Sequence, residues 1–141
     1  MSHQYNHTHP IQIRFNDIDM LGHTTNSVYM QYFDLGRMHY FNDVLKERMD
    51  WQDEGLILVS ININYLAQTK LYDELEVRTK VTKLGNKSLE MHQQIYNKTT
   101  NEVAAEGKST MVGYSGSKEQ SIAVPTRWRV AFANFEKDID L

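Results

Sequence analysis

The chain has 141 residues, enough for one domain whose core needs no disulfide or metal staple. Apolar residues at 40%, charged residues at 23% and only 2 Pro and 7 Gly describe a globular chain and exclude a disordered or collagen-like one. Fifteen Lys and Arg against 18 Asp and Glu give a net charge of −3, which provides no basic field for nucleic acid or an anionic membrane, and the absence of Cys excludes disulfides, thiolate zinc sites, iron–sulfur clusters and a Cys nucleophile.

In chain order, residues 1–10 are polar and carry His3, His7 and His9, so they read as a flexible leader without metal-binding order, and residues 11–141 as one domain. The leader lacks the apolar stretch of an export signal and no later run is long enough to span a bilayer, so the expected location is the cytoplasm. Ile11 to Phe15 alternates apolar and polar residues and reads as the first strand. Asn16 to Thr25 is a loop, with Thr24, Thr25 or Asn26 placed to cap a helix. From Ser27 to about Lys46, Tyr29, Phe33, Gly36, Tyr40 and Val44 fall on one helical stripe. A glycine at the centre of that stripe implies close packing of the helix on another backbone.

Four strands follow. Ile57 to Leu66 and Leu75 to Thr82 each alternate with one wet face, Gly85-Asn86-Lys87 turns the chain into Leu89, Met91, Gln93 and Ile95, and Lys98 to Asn101 turns it into Glu102 to Tyr114. Gly113 to Gln120 reads as a flexible connection, and Pro125 can start a last helix over Thr126 to Glu136. The expected fold is α+β, a curled antiparallel sheet wrapped around one long central helix. Its open edges predict side-by-side pairing into a homodimer or a dimer of dimers.

Familiar catalytic motifs are missing: there is no GxGxxG, HExxH, P-loop or complete nucleophile elbow. The segment Arg14 to Tyr29 stands out because Asp17, Asp19, His23 and Asn26 occupy a Gly-bearing loop leading into the helix start. Free N–H groups there can receive a developing oxyanion while a carboxylate a few residues earlier reaches the same carbonyl. The same residues also suit turn and capping chemistry.

Arg14-Phe15-Xaa-Asp17-Xaa-Asp19, Gly22-His23, Asn26, Tyr29, Tyr32-Phe33, Asp34 and Arg37, followed in order by Tyr65-Leu66-Ala67, Asp73 to Val77, Gly85 to Ser88 and Ala105 to Gly107, resemble the pattern of hotdog-fold acyl-CoA thioesterases of the 4-hydroxybenzoyl-CoA thioesterase family. The resemblance implies that Asp19 is the catalytic carboxylate, as nucleophile or general base, and that the N–H of Asn26 is the oxyanion donor. It implies coenzyme A phosphates near Lys87 and Arg127, and an active site shared between protomers. His23 is placed to orient the thioester, Asp19 or the loop itself, and Tyr29 and Asp34 to line the pocket or an interface. Thr25 stands where such relatives usually have Asn.

The expected activity is hydrolysis of an acyl thioester on coenzyme A or acyl carrier protein, without metal or other cofactor, because a thiolate leaves readily from a carboxylate-assisted site. The alternatives are a hotdog hydratase or dehydratase using Asp17 with His23, and a non-enzymatic module binding acyl-CoA or acyl carrier protein.

Overall fold

The computed structural model describes residues 4–141, in the order β1 (His7–Ile11), a single 3-10 turn (Phe15–Asp17), α1 (Asn26–Leu45), β2 (Gly55–Tyr65), β3 (Leu75–Leu84), β4 (Ser88–Asn97), β5 (Glu102–Ser115), β6 (Gln120–Ser121) and α2 (Thr126–Phe135). All pairings are antiparallel, in the sheet order β1-β3-β4-β5-β2 with β6 against the end of β5. None of the described helices is long and apolar enough to cross a membrane.

The first strand lies earlier than Ile11 to Phe15, and the leader is structured from His7 onward. His7 pairs opposite Thr79 and Ile11 opposite Leu75. Pro10 is tolerated because β1 is an edge strand, where a missing N–H need not break a ladder. After Ile11 the chain leaves the sheet, because Arg14 and Asp17 bond to each other through backbone and side chain and curl it into the 3-10 turn. His7 is buried with its Nε2 2.7 Å from Asp43, and His9 stacks on His39, so both serve the packing of β1 on α1. His3 lies outside the described residues.

Helix α1 is buried at Val28, Tyr29, Tyr32, Phe33, Gly36, Arg37, Tyr40, Phe41, Val44 and Leu45, a pair every fourth residue. Four residues exceed one turn by about 40°, so this stripe winds roughly 160° around the helix from end to end. Only a sheet that curls around the helix can cover it. Two apolar clusters result, one joining the first half of α1 to β3, β4 and β5, the other joining its second half to the sheet and α2 through Trp128 and Phe132.

Gly36 sits at the crossing. A Cβ there would lie 2.5 Å from Val77 Cγ2 on β3 and 2.8 Å from Gln93 Nε2 on β4. Buried Gln93 fastens the crossing, donating to Phe33 O and Thr79 Oγ1 and accepting from Arg37, each at 3.0 Å.

The strands keep the expected alternation except where bulges reset it. In β2, Leu56 and Leu58 face the core, a bulge falls between Leu58 and Ser60, and beyond it Ile63 turns inward while Val59 is exposed. The Gly113 to Gln120 segment is more ordered than expected, since β5 continues to Ser115 and β6 returns along it. The outer face of β3 is not wet throughout: Lys80 is buried, its ammonium held by Gln4 O and Asp138 Oδ2, both at 2.6 Å. Buried Glu136, just after α2, accepts from Tyr40 Oη at 2.7 Å and from Val81 N at 3.0 Å, capping the edge of β3 beyond the reach of β1.

Gly36→Ala should destabilise the fold by about 1–3 kcal/mol, because overpacking against Val77 exceeds the gain of roughly 1 kcal/mol in helix propensity. Urea midpoints for Gly36→Ala, Val77→Ala and the double variant check this, with the double variant less destabilised than the sum of the two. Burial raises the Glu136 carboxyl above its ordinary range, outweighing its donors. A raised folded value stabilises below the unfolded value and loses that contribution as pH rises. Glu136→Gln should thus gain on the wild type as pH climbs above the unfolded carboxyl value of about 4.3, read from urea melts at successive pH values.

Candidate active site

Between β1 and α1 the chain forms a loop clipped at its base by the Ile18–Thr24 bridge. Asp19 N donates to His23 O at 2.9 Å and Gly22 N to Asp19 O at 3.0 Å, and Gly22 takes φ +82, a conformation that glycine adopts without a steric penalty. The loop is tied to the body at two points. Thr24 N donates to Thr69 O at 2.9 Å, and Thr25 N to Asp17 O at 2.9 Å.

The two loop aspartates have different surroundings. Asp17 is buried, and its carboxylate accepts from Arg14 N at 2.9 Å, Arg14 Nε at 3.1 Å and Tyr32 Oη at 2.8 Å. Burial pushes that carboxyl up, but these donors prevail and hold it below the usual carboxylate range. Burial and the Asp17 charge together drive the Tyr32 hydroxyl upward, so it stays a donor. Asp19 is exposed, with Oδ1 accepting from Leu21 N at 2.9 Å and His23 N at 3.2 Å, while Oδ2 has no partner among the described residues.

Asp19 opens onto a groove of about 580 Å³ walled also by His23, Asn26, Tyr29, Tyr65 and Leu66. Thr25 is the N-cap of α1, yet its side chain makes no capping bond. The N–H groups of Asn26 and Ser27, which have no acceptor inside the helix, are thus left without a side-chain cap from Thr25, and Asn26 lines this groove. The His23 Nδ1 is buried and without a hydrogen-bond partner among the described residues. Tyr29 Oη meets Thr69 Oγ1 at 3.0 Å, which in turn donates to Thr24 Oγ1 at 2.6 Å. Tyr65 Oη donates to Asn26 O at 3.3 Å. An exposed carboxylate beside open helix N–H groups can attack a carbonyl, or activate water toward it, and stabilise the oxyanion that forms.

Of the residues singled out from sequence, Asp19, His23, Asn26 and Tyr29 come together here. Asp34 does not: it pairs with buried Arg37 and lines a separate apolar cleft. Lys87 is exposed on the β3–β4 hairpin, and Arg127 is bound by Glu47 and Glu54, which raise its pKa. Neither touches the groove of its own chain. Sequence reasoning had Thr24 only as a candidate cap and missed its buried pairing with Thr69, 45 residues away with no motif to join them. Among the described residues, no three His, Asp or Glu side chains converge on a common point where a metal could sit.

Residues 13–132 match the family model described as the thioesterase-like superfamily. A Thermus thermophilus thioesterase solved in complex with coenzyme A and zinc is 26% identical, with 94% of this chain and 96% of that one covered at a TM-score of 0.82. The PA2801 protein of Pseudomonas aeruginosa, a putative thioesterase, is also 26% identical, covering 91% and 98% at 0.81, and the PA5185 protein of the same organism is 25% identical, covering 97% and 96% at 0.85. The uncharacterized protein YsmA of Bacillus subtilis is 30% identical over 82 residues, 58% of this chain, and the match spans about half of that relative (55%). With the hotdog architecture in place and most of its length matched, the chain belongs to the thioesterase-like superfamily.

Proposed function

We propose that the protein hydrolyses an acyl-CoA thioester to the free acid and coenzyme A, with Asp19 as the catalytic carboxylate. One observation carries this reading: Asp19, whose Oδ2 is free, and Asn26, at the uncapped N-terminus of α1, line the same groove. Either the carboxylate deprotonates the water that attacks the thioester carbonyl, or it attacks the carbonyl itself to form an acyl–Asp19 anhydride that water then hydrolyses to the acid and the free carboxylate. In both, the Asn26 N–H receives the oxyanion, the C–S bond breaks and the thiolate leaves, taking up the proton released from water. Coenzyme A as the carrier is supported by the Thermus relative solved with it. The hydratase alternative loses support, because the Asp17 carboxylate is taken up by Arg14 and Tyr32 and does not line the groove.

Two chains would complete the site. The β2 edge is unpaired within the chain and exposes Val59 and Tyr65, a surface suited to antiparallel pairing with a second copy. Lys87 and Arg127, remote from the groove of their own chain, would then be available to the nucleotide bound by another. Sedimentation should return at least a dimer, and a fully active monomer would refute this arrangement.

Thiol release from acyl-CoA tests the chemistry. Asp19→Asn should lower kcat by about 10² or more with KM little changed, the effect of removing a base at fixed geometry. Asp17→Asn should instead cost stability, about 1–3 kcal/mol, because buried donors lose their charged acceptor. The larger loss of turnover should belong to Asp19 and the larger loss of stability to Asp17; the reverse order would overturn the assignment. Lys87→Ala should raise KM for acyl-CoA and spare kcat. Arg127→Ala should do so less, since Glu47 and Glu54 already neutralise that charge.

A further inference from the structure

The β2–β3 connection supplies Leu66, Ala67 and Gln68 to the lining of the Asp19 groove, and the next residue, Thr69, is fully buried. Thr69 O accepts from Thr24 N at 2.9 Å and from Thr24 Oγ1 at 3.4 Å, while Thr69 Oγ1 donates to Thr24 Oγ1 at 2.6 Å and lies 3.0 Å from Tyr29 Oη. Each hydroxyl has one proton to give. The Thr24 proton goes to a carbonyl, which can only accept, and the Thr69 proton goes to Thr24. The Tyr29 proton must then go to Thr69 Oγ1, so the chain runs in one direction and every donor in it is committed. Burial raises the Tyr29 hydroxyl above its ordinary value, which keeps that proton in place at neutral pH.

The two residues that Thr69 Oγ1 joins flank Asn26. Thr24 lies two positions before it in the loop and Tyr29 three after it in the first turn of α1. The ordinary device for fixing a helix start is absent, because the Thr25 side chain makes no cap. A buried hydroxyl takes over that duty, and it comes from the segment that also lines the groove. An oxyanion donor is effective only if its N–H is aimed before the charge develops.

We propose that Thr69 is a positioning residue for the oxyanion donor: its hydroxyl ties Thr24 to Tyr29 and thereby aims the N–H of Asn26 between them. This role rests on the hydrolytic reading of the groove and adds to it a residue that does not touch the substrate.

Thiol release from acetyl-, hexanoyl-, dodecanoyl- and benzoyl-CoA, with Asp19→Asn alongside, tests it. Thr69→Val should lower kcat about tenfold with KM little changed, and Thr69→Ser, which restores the hydroxyl, should stay near the wild type. Thr69→Val also leaves a buried Tyr29 donor without its acceptor, so stability must be separated from aim. In Tyr29→Phe/Thr69→Val both partners are gone, and the urea midpoint should recover toward the wild type while kcat stays low. Two unreactive probes complete the test. Trifluoroacetonyl-CoA, a ketone that becomes a tetrahedral oxyanion in the site, should bind Thr69→Val about tenfold more weakly, whereas S-propyl-CoA, which has no carbonyl, should bind unchanged. Turnover in Thr69→Val equal to the wild type, no rescue by Ser, kcat that recovers together with stability, or equal weakening of both probes would overturn the proposal. If Asp19→Asn loses turnover and Thr69→Val keeps it, the hydrolytic reading stands and the role of Thr69 falls; if the wild type hydrolyses none of the four esters, both fall.

Discussion

The contact of Gly36 with Val77 and Gln93 sets the depth at which α1 lies in the sheet. Any side chain at that point would lift the helix, and interiors packed at crystal-like density do not absorb such a shift locally. Because the buried pairs of α1 recur every four residues, seating the helix at its centre obliges the sheet to curl over both ends. Gln93 makes the seat specific as well as close, since its amide is satisfied only when Phe33, Arg37 and Thr79 are all in place.

The seated helix also organises the loop ahead of it. Tyr32, one turn in from the groove-lining Tyr29, donates to Asp17, so the element that presents open N–H groups also fixes the loop carrying Asp19. Two aspartates two positions apart have different surroundings, Asp17 buried among donors and Asp19 exposed with one oxygen free. Rigid support of an exposed carboxylate is what preorganised catalysis requires, since a loose loop would spend binding energy on ordering itself.

Much of this was legible in the residues. The helical stripe through Gly36, the inward face of Leu89, Met91, Gln93 and Ile95, the two hairpins and the start of α2 at Pro125 follow from periodicity and turn chemistry, and the structure keeps them. The first strand was misplaced because alternation over Ile11 to Phe15 is local, whereas the strand is set by its partner: β3 offers Leu75 to Thr79 to residues 7–11. The burial of Lys80 and Glu136 was invisible for a similar reason, since it depends on chain ends meeting across more than 50 residues. At the site, Asp19, His23 and Asn26 were legible because they are close in sequence. Thr69 reaches Thr24 and Tyr29 beside them only through the fold.

Tyr29 and Asp34 illustrate the limit of reasoning along one helix. They are five residues apart, which turns them by about 140°. Tyr29 accordingly faces the Asp19 groove and Asp34 the apolar cleft, so α1 separates two chambers rather than lining one. Along the axis Tyr29 and Asp34 are only about 7.5 Å apart, so the two chambers lie close together on different sides of one stretch of helix. Coupling between them would have to move α1, and its close seat on Val77 at Gly36 opposes that movement.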